Sequence, residues 1–395
     1  MRISTVGFQN DALAQMEALE ADLSQTQSQL STGLQLQNAA DNPTGMAQVN
    51  ELNVQLSASQ QYVTNGQAAS ANMTLEEQAL TQATNVLQSA QSLAVQANNT
   101  SLSTSERQNI AAQLQQQLQQ LVGIANSTDS NGNYLFGGYA SSTQPFAQSG
   151  NSVTYSGADA VNQIQISADQ RVSGGDTGAS VFMNIPAGNG TFTTAAGSGN
   201  TGTASIDAGS VTNLSAWVPD TYTISFTSPT QYQVTNSANT VVASGTYSSP
   251  GTIAFNGVQV TVSGTPAAGD KFSVAPAGNA SAFSTLSSLI TTLSSTTLNP
   301  GQLTSQINSA LEQLGGAITN VDNVQASVGA RLNAITSSQS TAQSQQTDLQ
   351  TSVSQLSDVD YAAAVTQLNT EEVGLQAAQE SYASLSKLSL FNYLS

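Results

Sequence analysis

Apolar residues recur every seventh position along the last third of the chain: Ile307, Leu314, Val321, Val328, Ile335, Ala342, Leu349 and Leu356. Leu311, Ile318, Leu332 and Val353 fill the offset positions, while Gln325, Gln339 and Gln346 interrupt them. A 3-4 spacing sustained over successive heptads predicts a coiled-coil helix, not an ordinary surface helix. At about 1.5 Å per residue such a helix is roughly 75 Å long. Its stripe must be covered by another helix. The three glutamines either set register against that partner or mark where the seam meets water.

The first third of the chain supplies candidate partners. Met73, Leu80, Leu87 and Ala94 form one heptad series, with Ala83, Ala90 and Ala97 beside it. An earlier amphipathic stripe, Leu13, Met16, Leu19, Leu23 and Leu30, ends near Gly33, and the Asn, Asp, Pro and Gly of 38–45 predict a loop. A third helix carries Ile110, Leu114, Leu118, Leu121 and Ala125, with Ser103 to Glu106 as capping candidates. Near residue 127 the period changes. Tyr222/Ile224/Phe226, Val258/Val260/Val262 and Phe272/Val274 alternate as strands do, as do Ile164/Ile166. Residues 187–210, rich in Gly, Thr, Ala and Ser, predict a loop between two β subdomains. Helix resumes at Ala282 with Leu286, Leu289 and Leu293, breaks at Asn299-Pro300-Gly301, and ends in a last helix behind Ser357–Asp360.

The expected fold is therefore α+β and multidomain: a long antiparallel α-helical coiled-coil rod built from both chain ends, with an inserted all-β domain. Residues 1–40 and 358–395 are assigned to a terminal assembly domain, 41–149 and 279–357 to the rod, and 150–278 to the insert. The rod core is expected at Met73, Leu80, Leu87, Ile307, Leu314, Val321, Val328, Ile335, Leu349 and Leu356. The short terminal stripes have no partner of their own. Leu13, Met16, Leu23, Leu30, Leu368, Leu375, Tyr382, Leu385 and Leu388 are therefore the candidate assembly interface.

Composition narrows the chemistry. Only 8% of the 395 residues are charged, and six basic residues face 24 acidic ones for a net charge of −18. Arg2, Arg107, Arg171, Lys271, Arg331 and Lys387 are scattered, so no footprint for nucleic acid or anionic lipid forms. The chain has no His and no Cys, which removes the usual triads, thiol chemistry and most metal sites. No cofactor, metal, membrane span or catalytic residue is expected. Gly197–Gly202 matches G-x-G-x-x-G but lies in loop sequence, and Asp129, Asn131 and Asn133 lack the spacing of a calcium loop. Glu76/Glu77 and Glu371/Glu372 are expected on solvated helix faces.

Gln29–Leu34, Asn38–Ala47 and Leu93–Asn99, with Asp358–Ala362 and Leu375–Ala378, resemble the conserved terminal blocks of flagellins and their relatives. The opening Met1–Thr5, Asn133–Tyr139 followed by Pro145-Phe146, and the ending Leu388–Leu394 resemble the hook–filament junction branch of that family. Asp41-Asn42 departs from the paired acids usual before the loop proline. The resemblance implies a secreted structural protein of the bacterial flagellum, exported by the type III route and homo-oligomeric as a ring. Its partners would be copies of itself, hook-associated protein 1, flagellin, and an export chaperone at the C-terminal helix region. A filament flagellin and a secreted adhesin acting through its β domain are the alternatives.

Overall fold

The computed structural model describes residues 5–391. Its helices are α1 (Thr5–Thr32), α2 (Pro43–Ala97), α3 (Thr104–Ala125), α4 (Ala282–Ser294), α5 (Pro300–Ser357) and α6 (Tyr361–Phe391). Helical regions at both ends and a central all-β region make the fold α+β and multidomain. The two long helices start alike. Asn42 Oδ1 accepts from Gly45 N at 2.9 Å ahead of Pro43. At α5, Asn299 Oδ1 accepts from Gln302 N at 2.8 Å and Gln302 Oε1 from Asn299 N at 3.1 Å, ahead of Pro300. An Asn cap satisfies an orphan N–H, and proline at the first helical position has no N–H to lose. Ser103 caps α3 in a reciprocal box with Glu106.

Packing divides the chain into two compact units, each drawn from both chain arms. One runs to Thr64 and resumes at Ser338; the other is Asn65–Ser337. The terminal unit is thus wider than 1–40 and 358–395, taking in the start of α2 and the end of α5.

In the Asn65–Ser337 unit, α2 and α5 run antiparallel. Gln325 Nε2 donates to Thr81 Oγ1 at 3.1 Å, Thr84 Oγ1 to Asp322 Oδ1 at 3.3 Å, and Asn98 Nδ2 to Asn308 Oδ1 at 3.0 Å. Each step forward along α2 is matched by an equal step back along α5. The buried residues Met73, Leu80, Leu87, Ile307, Leu314, Val321, Val328 and Ile335 join α3 and α4 in one hydrophobic core. Fully burying each such side chain is worth about 1.5–3 kcal/mol.

Residues 127–186 belong to this helical core. The hairpin of β1 (Phe146–Ser149) and β2 (Ser152–Tyr155) and that of β3 (Gln163–Gln165) and β4 (Arg171–Ser173) lie here. Phe136, Phe146, Ile166, Val172 and Phe182 are buried against the helices, with Phe146 and Phe283 of α4 5.0 Å apart. The period-two signal at Ile164/Ile166 is real, but its apolar face covers helices. The cores therefore part near residue 187 instead of 150, because the helices need this segment as their cover.

A second core occupies the β unit beyond. β6 (Phe192–Ala196), β9 (Tyr222–Ser228), β10 (Gln231–Thr235), β11 (Val241–Thr246) and β14 (Lys271–Pro276) form a sheet in the order β11-β10-β9-β14-β6. β7 (Ser205–Ile206), β8 (Ser210–Val211) and β12 (Gly251–Phe255) gather round β13 (Val258–Ser263). Tyr222, Ile224, Phe226, Val258, Val260, Val262, Phe272 and Val274 fill the space between them. The expected loop 187–210 carries β6 and β7; its Gly, Thr and Ser content hid strands whose small residues pack beside larger neighbours. β5 (Ile185–Pro186) pairs with β15 (Asn279–Ala280), so the unit is entered and left through one narrow neck.

Leu314→Ala should lower the unfolding free energy by about 2–5 kcal/mol in urea titrations of the full chain. Val95→Ala, at an α2 position that is 60% exposed, should cost less than about 0.5 kcal/mol.

Candidate assembly surface

The terminal unit is built on α1 and α6, which pack against each other. The terminal stripes therefore do have a partner within the chain. The pairing is thin: among the described side chains of these two helices only Thr26 and Ala364 are buried. Met16, Leu23, Leu30, Leu368, Leu375 and Tyr382 are half-buried, and Leu13 is 43% exposed. The side chains of Leu385 and Leu388 lie outside the described residues. Exposure is greater at residues absent from the interface expected by heptad spacing: Val54 at 66%, Val373 at 65% and Tyr361 at 57%. Val373 lies off the Leu368–Leu375–Tyr382 heptad, so spacing alone did not select it. In the same unit Leu349 is buried and Leu356 half-buried, and Ser59 Oγ of α2 donates to the Ala342 carbonyl of α5 at 3.0 Å.

The two loops that lead into α2 and α6 are clasped together. Leu34 and Asp358 form an antiparallel bridge, with Gln35 N donating to Ser357 O at 2.7 Å and Val359 N to Gly33 O at 3.0 Å. Gly33 has φ of +74°, and a Cβ there would lie 3.0 Å from the Tyr361 hydroxyl. This conformation favours glycine. Asp41 holds the other side of the loop, its Oδ2 accepting from Asn38 N at 2.9 Å and Gln37 N at 3.2 Å. Asp360 caps α6 by accepting from Ala362 N at 3.0 Å.

Other sequence candidates resolve into structure. The Gly197–Gly202 run is the turn between β6 and β7, with a strand instead of a helix after it. The buried Asp270 carboxylate accepts from Thr201 N and Ala267 N, both at 2.8 Å. The same loop docks on the start of α5: Gln302 Nε2 donates to the Gly197 and Ser198 carbonyls at 3.1 and 2.9 Å, and Asn299 Nδ2 to Asn200 O at 2.7 Å. A Cβ on Gly301 would meet Ala204 O at 2.3 Å. Asp129 Oδ1 accepts from the backbone of Asn131 and Asn133 at 2.8 Å each, the bonding of a polar turn. Gln325 bonds Thr81 across the helix pair, whereas Gln339 and Gln346 are half-buried, with side-chain nitrogens that are themselves buried without a hydrogen bond.

Glu76 overturns the expectation of a solvated face. It is only 2% exposed, because the 174–178 loop and Arg331 of α5 cover it. Its Oε1 accepts from Asp176 N at 2.9 Å, and Asp176 forms an ion pair with Arg331. Burial, reinforced by the Asp176 charge, pushes the Glu76 carboxyl up to about 8 against the partial opposition of Arg331. Glu371 is half-buried, accepting from Gln367 Nε2 at 2.8 Å, while Glu372 is exposed. Among the described residues no cluster of three or more His, Cys, Asp or Glu could hold a metal ion, and no described helix is long and apolar enough to cross a membrane.

Two helical arms around a β insert, clasped at their loops, define a flagellin-type chain. The bacterial flagellin N-terminal helical region matches residues 3–141 and its C-terminal helical region matches 311–394. A D2-like domain of flagellar hook-associated protein 1 matches residues 195–276, within the β unit. The crystal structure of Xanthomonas campestris FlgL is 33% identical, with a TM-score of 0.71 over 76% of this chain and 98% of that one. The hook-associated protein 3 of Legionella pneumophila is 32% identical, with a TM-score of 0.74 over 78% of this chain and 98% of that one. The chain belongs to the flagellar hook-associated protein 3 family. Flagellar hook-associated protein 3 of Salmonella typhimurium is 33% identical over 185 residues, a match spanning 47% of this chain and 58% of that relative.

Gly33→Val should break the clasp, through its positive φ and its contact with Tyr361, costing about 1–2 kcal/mol in the terminal unit. Hydrogen exchange should quicken at Gln35 and Val359, and the amides of β9 should not change.

Proposed function

We propose that this chain is a structural protein of the bacterial flagellum that forms the hook–filament junction ring, linking hook-associated protein 1 to flagellin. The observation that carries the proposal is the imbalance between the two units. The helices of the Asn65–Ser337 unit bury their heptad residues and expose Val95 as a large apolar side chain. The terminal helices bury only Thr26 and Ala364 among their described side chains, and the terminal unit leaves Leu13, Val54, Val365 and Val373 more than one-third exposed, including Val365 at 46%. Apolar helix faces of this kind are covered on assembly. Copies of the same chain are the assigned partners, with terminal helices meeting terminal helices through Leu13, Met16, Leu23, Leu30, Leu368, Leu375, Tyr382, Leu385 and Leu388.

The protein is secreted through the flagellar export channel, with a chaperone on the C-terminal helix region until assembly. A structural role, not catalysis, is the reading supported by the contacts of its candidate residues: Glu76, for instance, accepts from the Asp176 backbone, and Asp176 pairs with the Arg331 guanidinium. A filament flagellin would share the helical arms. A secreted adhesin would act through the β unit and would bind a surface without entering the flagellum.

Deletion of the gene should leave hooks without filaments and flagellin free in the medium, and immunogold should label one band between hook and filament. Normal filaments in the deletion strain would overturn the junction assignment. Label along the whole filament would favour the flagellin alternative. Val373→Asp should abolish incorporation while leaving the melting temperature of the isolated chain unchanged.

A further inference from the structure

The segment 174–178 crosses between the helix pair and the aromatic cluster, and three charged side chains hold it there. Arg331 Nη1 of α5 donates to Gly175 O at 3.2 Å, and its other terminal nitrogen pairs with the Asp176 carboxylate. From α2, Glu76 accepts the Asp176 amide at 2.9 Å, which brings the two acids together beside one guanidinium. One guanidinium cannot neutralise two carboxylates, and Glu76 is only 2% exposed, so its charge is poorly hydrated. Glycines flank Asp176 at 174, 175 and 178, so its backbone can move. Thr177 and Gly178 lead into the turn Ala179–Met183, whose Phe182 lies 5.3 Å from Phe136 and 5.6 Å from Phe283.

We propose that Glu76, Asp176 and Arg331 form a proton-operated latch, which closes the 174–183 segment onto α2 and α5 while Glu76 is neutral and releases it when Glu76 ionises. The titratable and charged groups around Glu76 are Asp176 on the segment, Arg331 on α5, and Asp129 and Tyr134, which with Glu76 line a cavity of about 220 Å³. No basic side chain lines that cavity, so nothing there compensates a second negative charge. The cavity, lined also by Asn72 and Asn133, lets a proton reach an otherwise buried acid. With the segment closed, an ionised Glu76 would face the Asp176 carboxylate as a like charge. Release of the segment relieves that repulsion.

The sign follows from linkage. The folded form binds the Glu76 proton more tightly than the unfolded chain, so the contribution is full below the unfolded value of 4.5 and is lost as pH rises toward about 8. Relative to Glu76→Gln, the folding equilibrium constant of the wild type should fall about tenfold per pH unit across that window and level off above it. Glu77→Gln, one position along α2, should follow the wild-type curve.

Two measurements on the full chain decide the proposal. Urea unfolding followed by circular dichroism compares wild type and Glu76→Gln from about pH 5 to about pH 9, and parallel stability curves would overturn the latch. Infrared titration of the wild type should show a carboxylic-acid carbonyl band at neutral pH that disappears with a midpoint near 8. That measurement needs no variant, so it decides the matter even if Glu76→Gln fails to fold; a carboxylate already ionised at neutral pH would sink the idea. Where the band is lost, exchange of the Asp176 amide should rise at least tenfold over its rate in Glu76→Gln at the same pH, and equal rates there would refute release of the segment.

Discussion

The antiparallel pairing of α2 with α5 is the constraint on which the Asn65–Ser337 unit depends. Because the chain leaves along one helix and returns along the other in fixed register, everything inserted between them must come back to its starting point. α3 and α4 pack together as the first solution to that demand, covering the outer apolar surface of the pair. The β5–β15 pairing is the second. Its register, Asn279 with Pro186 and Ala280 with Ile185, brings the two ends of the β unit together. Ala187 N to Gly278 O and Ala277 N to Thr191 O, both 2.9 Å, continue the closure into the unit. A β unit with its own core can thus be carried without disturbing the heptads on either side.

A narrow neck alone would leave such a unit free to swing, and a second attachment restrains it. The β6–β7 turn lies against the first turn of α5, where Gln302 donates to its carbonyls and Gly301 permits the close approach of Ala204. The residues that cap α5 are also those that hold the turn. Asn299 and Gln302 satisfy each other's backbone N–H and spend their side-chain amide groups on the loop. Helix initiation and domain docking are therefore one hydrogen-bonded structure. Loss of the cap would loosen both, since buried carbonyls without donors cost about 1–3 kcal/mol each.

What the sequence reveals follows from the range of the interactions. Periods of seven and two report local geometry and which face is buried, so the heptads of α2 and α5 and the alternating residues of β9, β13 and β14 are legible without a partner. Ile164 and Ile166 alternate in the same way, but their alternation does not say whether the apolar face covers a sheet or a helix. The terminal unit was legible as helices but not as a surface. Heptad spacing selected Leu368, Leu375 and Tyr382, whose half-burial differs from the exposure of Val373. Glu76 was least legible of all. Its partners lie 100 residues away at Asp176 and farther still at Arg331, and nothing in the run Leu75-Glu76-Glu77-Gln78 distinguishes the buried acid from its neighbour.

Charge scarcity explains how the helix pair keeps its register. Coiled coils usually set orientation with ion pairs flanking the seam. Here Arg331–Asp176 is the ion pair found among the described residues, and it joins a loop to α5 instead of α2 to α5. Hydroxyl and amide side chains take that role: Thr81 with Gln325, Thr84 with Asp322, and Asn98 with Asn308. Hydrogen bonds are directional, which selects one alignment, and screening by salt affects these little because at most one member of each pair is charged. The seam beneath supplies the affinity, which is blind to small slips between similar aliphatic residues. Polar bonds at the flanks supply the discrimination that the heptads lack. A chain with six basic residues can thereby hold a long helix pair in register and still commit one of the six, Arg331, to the place where the buried Glu76 meets Asp176.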